Sequence, residues 1–145
     1  MDNKNCNSIG KYVSQIYRCG NKFFSKAYGK YNFGAGQFMF LRVLYDKEGL
    51  TQEDLCIILN IDKATTARAL KKLEDEGYIT RKRSKDDRRA NIIEITNKAL
   101  EIKEDFFNIL WEWESRITQP LTKQEKTVVL DLLEKVVNNE GIRRY

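Results

Sequence analysis

Apolar residues recur along the first part of the chain at positions 9, 12, 13, 16, 17, 23, 24, 27, 28 and 31. Steps of three and four are the repeat of one helix face, so the pattern predicts an amphipathic helix of roughly six turns. Gly20 takes one place in the stripe, where it favours close packing and weakens the helix. Asn32, Gly34 and Gly36 end the segment. Gln37 to Tyr45 reads as a second, largely buried helix with Phe38, Met39, Phe40, Leu41, Val43 and Leu44, closed by Asp46-Lys47-Glu48-Gly49.

Thr51-Gln52-Glu53-Asp54 has the form of a capping box, a hydroxyl with an acid three residues later. It starts a short helix, Gln52 to Leu59, with Leu55, Ile58 and Leu59 apolar. Asn60-Ile61 turns the chain, Asp62 is a good N-cap, and Lys63 to Glu76 reads as a fourth helix. Its inner stripe is expected to be Ala64, Ala67, Leu70 and Leu73. Gly77 stands where a left-handed residue closes a helix. Two short helices joined by a tight turn make a helix-turn-helix pattern. Tyr78–Arg81 and Ile92–Ile95 then read as paired strands around a charged tip, which completes a winged helix. Thr96 caps a helix running to about Ile117, with Leu100, Phe106, Phe107, Leu110, Trp111 and Trp113. Pro120 breaks it. Thr122-Lys123-Gln124-Glu125 opens the last helix, striped by Val128, Val129, Leu132, Leu133, Val136 and Val137.

The fold class expected is therefore mainly α: a winged helix-turn-helix with a two-stranded β-hairpin wing, plus long N- and C-terminal helices. A length of 145 residues fits one subunit, 1–145, with a winged lobe at 36–95 and helical regions at 8–32 and 96–140. No apolar run reaches the ~18–20 residues of a membrane span. The segment MDNKNCNSIGK lacks the basic and then apolar regions of a secretory signal, so the expected compartment is the cytoplasm.

The charge is unevenly placed. Between Lys63 and Ala90 ten cations face five anions, an excess of +5 that equals the net charge of the whole chain. A basic segment in an otherwise neutral body is the footprint of a polyanion binder. The chain contains no His and only three Cys, at 6, 19 and 56, with no CxxC pair. That composition argues against a zinc site and any other metal site of Cys/His type, and no cofactor is expected. It also removes the commonest general base, so an enzyme is not expected.

Candidate contacts follow from this placement. The outer face of the fourth helix is expected to present Lys63, Thr65, Thr66 and Arg68 in its first two turns, where recognition helices meet base edges. The other reading is a polar, solvated helix face. At the hairpin tip, Arg88 and Arg89 are placed to enter a minor groove. A neighbouring carboxylate can hold a guanidinium in one bidentate geometry and lower its ordering cost. The other reading is a mixed-charge tip for solubility.

The stretch from Ile61 to Thr96 resembles the core of the MarR-type (multiple antibiotic resistance regulator) transcription factors. The family's wing signature, close to Asp-Pro-x-Asp-Arg-Arg, stands here as Ser84-Lys85-Asp86-Asp87-Arg88-Arg89. Ser-Lys replaces the first Asp-Pro, and the Asp-Arg-Arg portion matches. The resemblance implies that Asp87 is the carboxylate that orients the arginine, that Arg89 is the minor-groove arginine, and that Asp62 to Arg68 begin the recognition helix. It further implies a homodimer built from the terminal helices, binding double-stranded DNA at half-sites about 10 bp apart on a pseudo-palindromic operator.

By the same resemblance a small aromatic or phenolic effector is expected to release the DNA, which makes the chain a ligand-responsive repressor. Lys11 and Arg18 share one face of the first helix, and with Tyr12, Tyr17 and Trp111 they are candidates for holding an aromatic carboxylate. The competing reading is a pair of surface cations beside core aromatics. Oxidant sensing by Cys6, Cys19 or Cys56 is a further reading. The alternative at the level of the whole protein is a winged-helix module for protein contacts or for DNA binding without sequence choice.

Overall fold

The computed structural model describes residues 7–86 and 90–143. In order these form α1 (Ile9–Ala27), a 3₁₀ turn (Tyr28–Tyr31), α2 (Phe38–Asp46), β1 (Leu50–Thr51), α3 (Gln52–Leu59) and α4 (Lys63–Asp75). They continue with β2 (Ile79–Arg83), β3 (Asn91–Ile95), α5 (Asn97–Glu101), α6 (Lys103–Thr118), α7 (Lys123–Val137) and α8 (Glu140–Arg143). The chain divides into two compact units, Met1–Ile109 and Leu110–Tyr145.

Local chemistry starts α3, α4 and α7, and stops α4, where the sequence predicts. The Thr51 hydroxyl accepts from the Asp54 N–H at 3.2 Å, and the Asp54 carboxylate accepts from the Thr51 N–H at 2.8 Å. That reciprocal pair starts α3, and Thr122 with Glu125 repeats it at α7. Asp62 caps α4 by accepting from the Thr65 N–H at 2.8 Å. Gly77 closes α4 at φ +78°, a conformation open to glycine at little cost. At the end of α1 the coil tightens into the 3₁₀ turn, and Asn32, at φ +61°, ends it.

The wing pairs as an antiparallel hairpin, from Ile79 opposite Ile95 to Arg83 opposite Asn91. The expected two strands gain a third. Leu50 and Thr51 pair with Ile93 and Ile92, so the sheet order is β1-β3-β2. This short strand ties the entry of α3 to the base of the wing. The single helix expected from Thr96 to about Ile117 is two, α5 and α6, separated at Ile102.

Aromatic rings fill the centre of the first unit. Phe24 stacks on Phe38 with centroids 4.2 Å apart, Tyr28 on Phe106 at 4.9 Å, and Phe33 meets Tyr78 edge-on at 5.1 Å. Tyr28 is fully buried and donates its hydroxyl to the Phe106 carbonyl at 2.9 Å. Burial pushes its phenol pKa well up, which keeps the donor protonated. Under the wing, Leu41, Leu55, Leu70, Leu73, Ile79 and Ile93 are all buried. Each such side chain stabilises the lobe by roughly 1.5–3 kcal/mol.

Helix α4 corrects the expected stripe. Its buried residues are Thr66, Ala69, Leu70 and Leu73, while Ala64 is exposed. Thr66 was expected on the outer face and lies wholly inside, at 0% exposure. Two apolar surfaces stay open. The first half of α1 exposes Ile9, Tyr12, Val13, Ile16 and Tyr17, and α7 has no buried residue at all. Among the described residues no helix is long and apolar enough to cross a membrane.

Candidate nucleic-acid interface

The interface is built on the N-terminus of α4. Its first turn leaves N–H groups directed outward, which favour an anion such as a phosphate. Lys63, Thr65 and Arg68 lie on its open side. The Arg68 guanidinium donates to the Thr65 hydroxyl at 3.1 Å, and Thr65 in turn bonds the Asp62 cap through its hydroxyl and its N–H. Those bonds hold the Asp62 carboxyl below its usual range, with the Arg68 charge adding to the effect. The cap thus does a second job that sequence reasoning missed: through Thr65 it orients an arginine that can offer its fork to a base edge. Thr66 is withdrawn from this set, because its fully buried side chain cannot reach a groove. Its hydroxyl is a buried polar atom without a hydrogen-bond partner.

The basic segment is partly neutralised within the fold. Lys63 lies 3.7 Å from Glu53, Lys72 2.9 Å from Glu76, Arg81 3.3 Å from Glu74 and Lys82 2.5 Å from Glu94. Lys71 pairs with Asp75. Exposed pairs of this kind add little stability. Lys63, its side chain 82% exposed, stays open to an incoming polyanion, whereas Arg81, at 26%, is turned inward. Arg83 and Lys85, at the far end of β2 and the start of the tip, are exposed. Neither was among the contact residues expected from sequence.

At the tip, the Ser84 N–H donates to the Ala90 carbonyl at 2.9 Å, one step beyond the regular ladder. The Ser84 hydroxyl accepts from the Asp86 N–H at 3.2 Å, a local turn of the kind short polar side chains make. Ser84 thus provides turn chemistry where the family signature has Asp. Asp87, Arg88 and Arg89 lie outside the described residues.

The candidate effector residues divide between the two units. Lys11, Tyr12, Tyr17 and Arg18 lie along α1. The Lys11 ammonium sits 5.8 Å from the Tyr12 ring centre, the Tyr12 hydroxyl donates to Asn7 at 3.2 Å, and Arg18 donates to Ser14 at 2.9 Å. Trp111, 64% exposed, belongs to the second unit on α6. A separate open groove of about 620 Å³ is lined by Leu44, Lys47, Gly49, Ile93, Ile95 and Leu100, among others, and by none of these five. Cys19 is exposed on α1, Cys56 is partly buried on α3, and Cys6 lies outside the described residues. Among the described residues no group of three His, Cys, Asp or Glu side chains is placed to hold a metal ion.

Comparison with known proteins adds lineage to this geometry. Residues 34–90 match the model of the MarR family. A MarR transcriptional regulator from Methanosarcina mazei Go1 is 38% identical and superposes with a TM-score of 0.84, over 92% of this chain and 97% of that one. A putative MarR family regulator from Listeria monocytogenes, solved with a 26mer DNA, is 27% identical with a TM-score of 0.85, over 94% of this chain and 89% of its own. The HTH-type transcriptional regulator BilQ of Clostridium symbiosum is 28% identical over 126 residues, 86% of this chain and 88% of BilQ.

Proposed function

Because the chain belongs to the MarR family of winged-helix transcription regulators, we propose that it is a ligand-responsive repressor that grips a pseudo-palindromic operator as a homodimer. The observation that carries this reading is the capped start of α4. There Arg68 is tethered through Thr65 to Asp62, on the open side of a helix whose opposite side is packed into the lobe. Lys63, Thr65 and Arg68 take the major groove. Arg83 and Lys85 lead the wing, with Asp87, Arg88 and Arg89, toward the adjacent minor groove. That the Listeria relative was solved with a 26mer DNA supports DNA as the partner.

The homodimer is proposed to form from the helices of 8–32 and 96–140, whose open apolar faces on α1 and α7 supply the surface. A two-fold axis then sets two copies of α4 about one DNA turn, roughly 10 bp, apart. A small aromatic or phenolic acid is proposed to meet Lys11 and Arg18 beside Tyr12 and Tyr17. It lowers DNA affinity if it binds the released arrangement of the two lobes more tightly than the gripping one.

Selection of bound sequences from a random duplex library tests the reading. The expected result is a two-fold symmetric consensus, bound ~10³-fold or more tightly than random DNA. Recovery of no consensus would replace the regulator with a binder indifferent to sequence.

A further inference from the structure

Arg81 is a cation of the basic segment, yet its side chain is turned into the protein. Its Nη1 donates to the Gln52 side-chain oxygen at 3.0 Å, and its Nε donates to the Glu74 carboxylate at 3.3 Å. The three residues come from the wing strand β2, the first turn of α3 and the last turns of α4. Both Arg81 and Glu74 are partly buried, with side chains 26% and 35% exposed. In the sheet Arg81 stands opposite Ile93, whose strand β3 also carries β1, the residues that lead into α3.

We propose that Arg81 is a positioning residue for DNA binding, a brace that fixes the wing against both helices of the helix-turn-helix so that one rigid unit reaches two grooves. This deepens the operator-binding reading and rests on it. The guanidinium suits the task because it is planar and offers donors in different directions. One side chain can therefore hold an amide and a carboxylate that belong to different helices. A lysine presents a single point charge and cannot span both with the same fixed geometry. Without the brace, the wing's orientation to α4 must be ordered on binding, at a cost in affinity.

Glu74→Gln separates the brace from plain electrostatics. Removing an anion from a DNA-binding surface should tighten binding if only charge matters. Loss of the brace should weaken it, by roughly tenfold for a coupled pair. The measurement is affinity for the palindrome returned by library selection, at several salt concentrations, for the native chain, Glu74→Gln, Gln52→Ala and Arg81→Lys. The brace predicts weaker binding in all three variants, with the slope of log affinity against log salt unchanged. It also predicts faster amide exchange in β2 and β3 of the free variants. Unchanged or tighter binding by Glu74→Gln overturns the proposal. So does a salt slope reduced by about one in Arg81→Gln, measured beside them because it removes the charge that Arg81→Lys keeps; that result would make Arg81 a phosphate contact. Absence of any consensus for the native chain overturns the operator reading instead, before the variants are compared.

Discussion

The Tyr31 hydroxyl donates to the Asp105 carboxylate at 2.7 Å across seventy-four residues of sequence, and Lys30 closes on the same oxygen at 2.6 Å. The clasp joins the 3₁₀ turn after α1 to the start of α6. A second link reaches the recognition unit, since Tyr78, just beyond α4, donates its hydroxyl to the Tyr31 carbonyl at 3.0 Å. Hydrogen bonds first from Lys30 and then from Tyr31 hold the Asp105 carboxyl below its usual value of 3.8.

The clasp makes a pH prediction with a definite sign. A carboxyl whose folded pKa is lowered contributes stability above its unfolded pKa and loses that contribution as pH falls through the folded value. Asp105→Asn should therefore have a lower Tm than the native chain at neutral pH. The gap should narrow as pH drops below 3.8. Thermal unfolding of both proteins across an acid series measures it, and a gap independent of pH contradicts the ionic role.

Thr66→Val should leave DNA affinity unchanged and raise stability. The substitution keeps the shape and removes a buried hydroxyl that has no hydrogen-bond partner. The gain expected is on the order of 1 kcal/mol. Chemical denaturation and operator titration check the two halves. Loss of binding with the fold intact would return Thr66 to the interface.

Arg68→Ala should cost about 1–3 kcal/mol of binding free energy and relax preference at one base position. Thr65→Val should reproduce part of the effect, because it cuts the link between Arg68 and Asp62. Selection repeated with each variant is the measurement. Equal weakening on every sequence would assign Arg68 to a phosphate.

Leu132 and Leu133 are 55% and 43% exposed on a helix with no buried residue. Leu132→Asp with Leu133→Asp should convert a dimer to a monomer, read by light scattering, while helical circular dichroism of the subunit persists. Operator affinity should fall with it, since one lobe then holds one half-site. A native chain that is monomeric at micromolar concentration contradicts the dimer.

Much of this architecture is legible in the sequence because its signals are local. Thr51, Asp62, Thr96 and Thr122 announce helix starts by side chains that bond N–H groups three residues on, and Gly77 announces a stop. What escapes is non-local or depends on phase. The two-residue strand β1 exists only because β3, some forty positions later, offers it an edge. The expected stripe of Ala64, Ala67, Leu70 and Leu73 steps by three each time. At 3.6 residues per turn such a row drifts around the helix, so that Ala64 and Leu73 end about 180° apart. The observed set of Thr66, Ala69, Leu70 and Leu73 keeps to one face by mixing steps of three and four. Treating Thr as an outward residue hid that face. In the candidate interface, the open-side positions of Lys63, Thr65 and Arg68 follow from helix position alone. The brace at Arg81 does not, because it joins three segments that only the tertiary fold brings together.

The placement of Trp111 on α6 has a practical optical consequence. The chain has two tryptophans, and Trp113 stands on the same helix two residues away, so indole emission originates from one segment of the second unit. The winged lobe carries tyrosine and phenylalanine instead. A fluorescence titration excited at the red edge therefore watches α6 first, and following the recognition helix requires a dye attached there or a polarised label on the duplex.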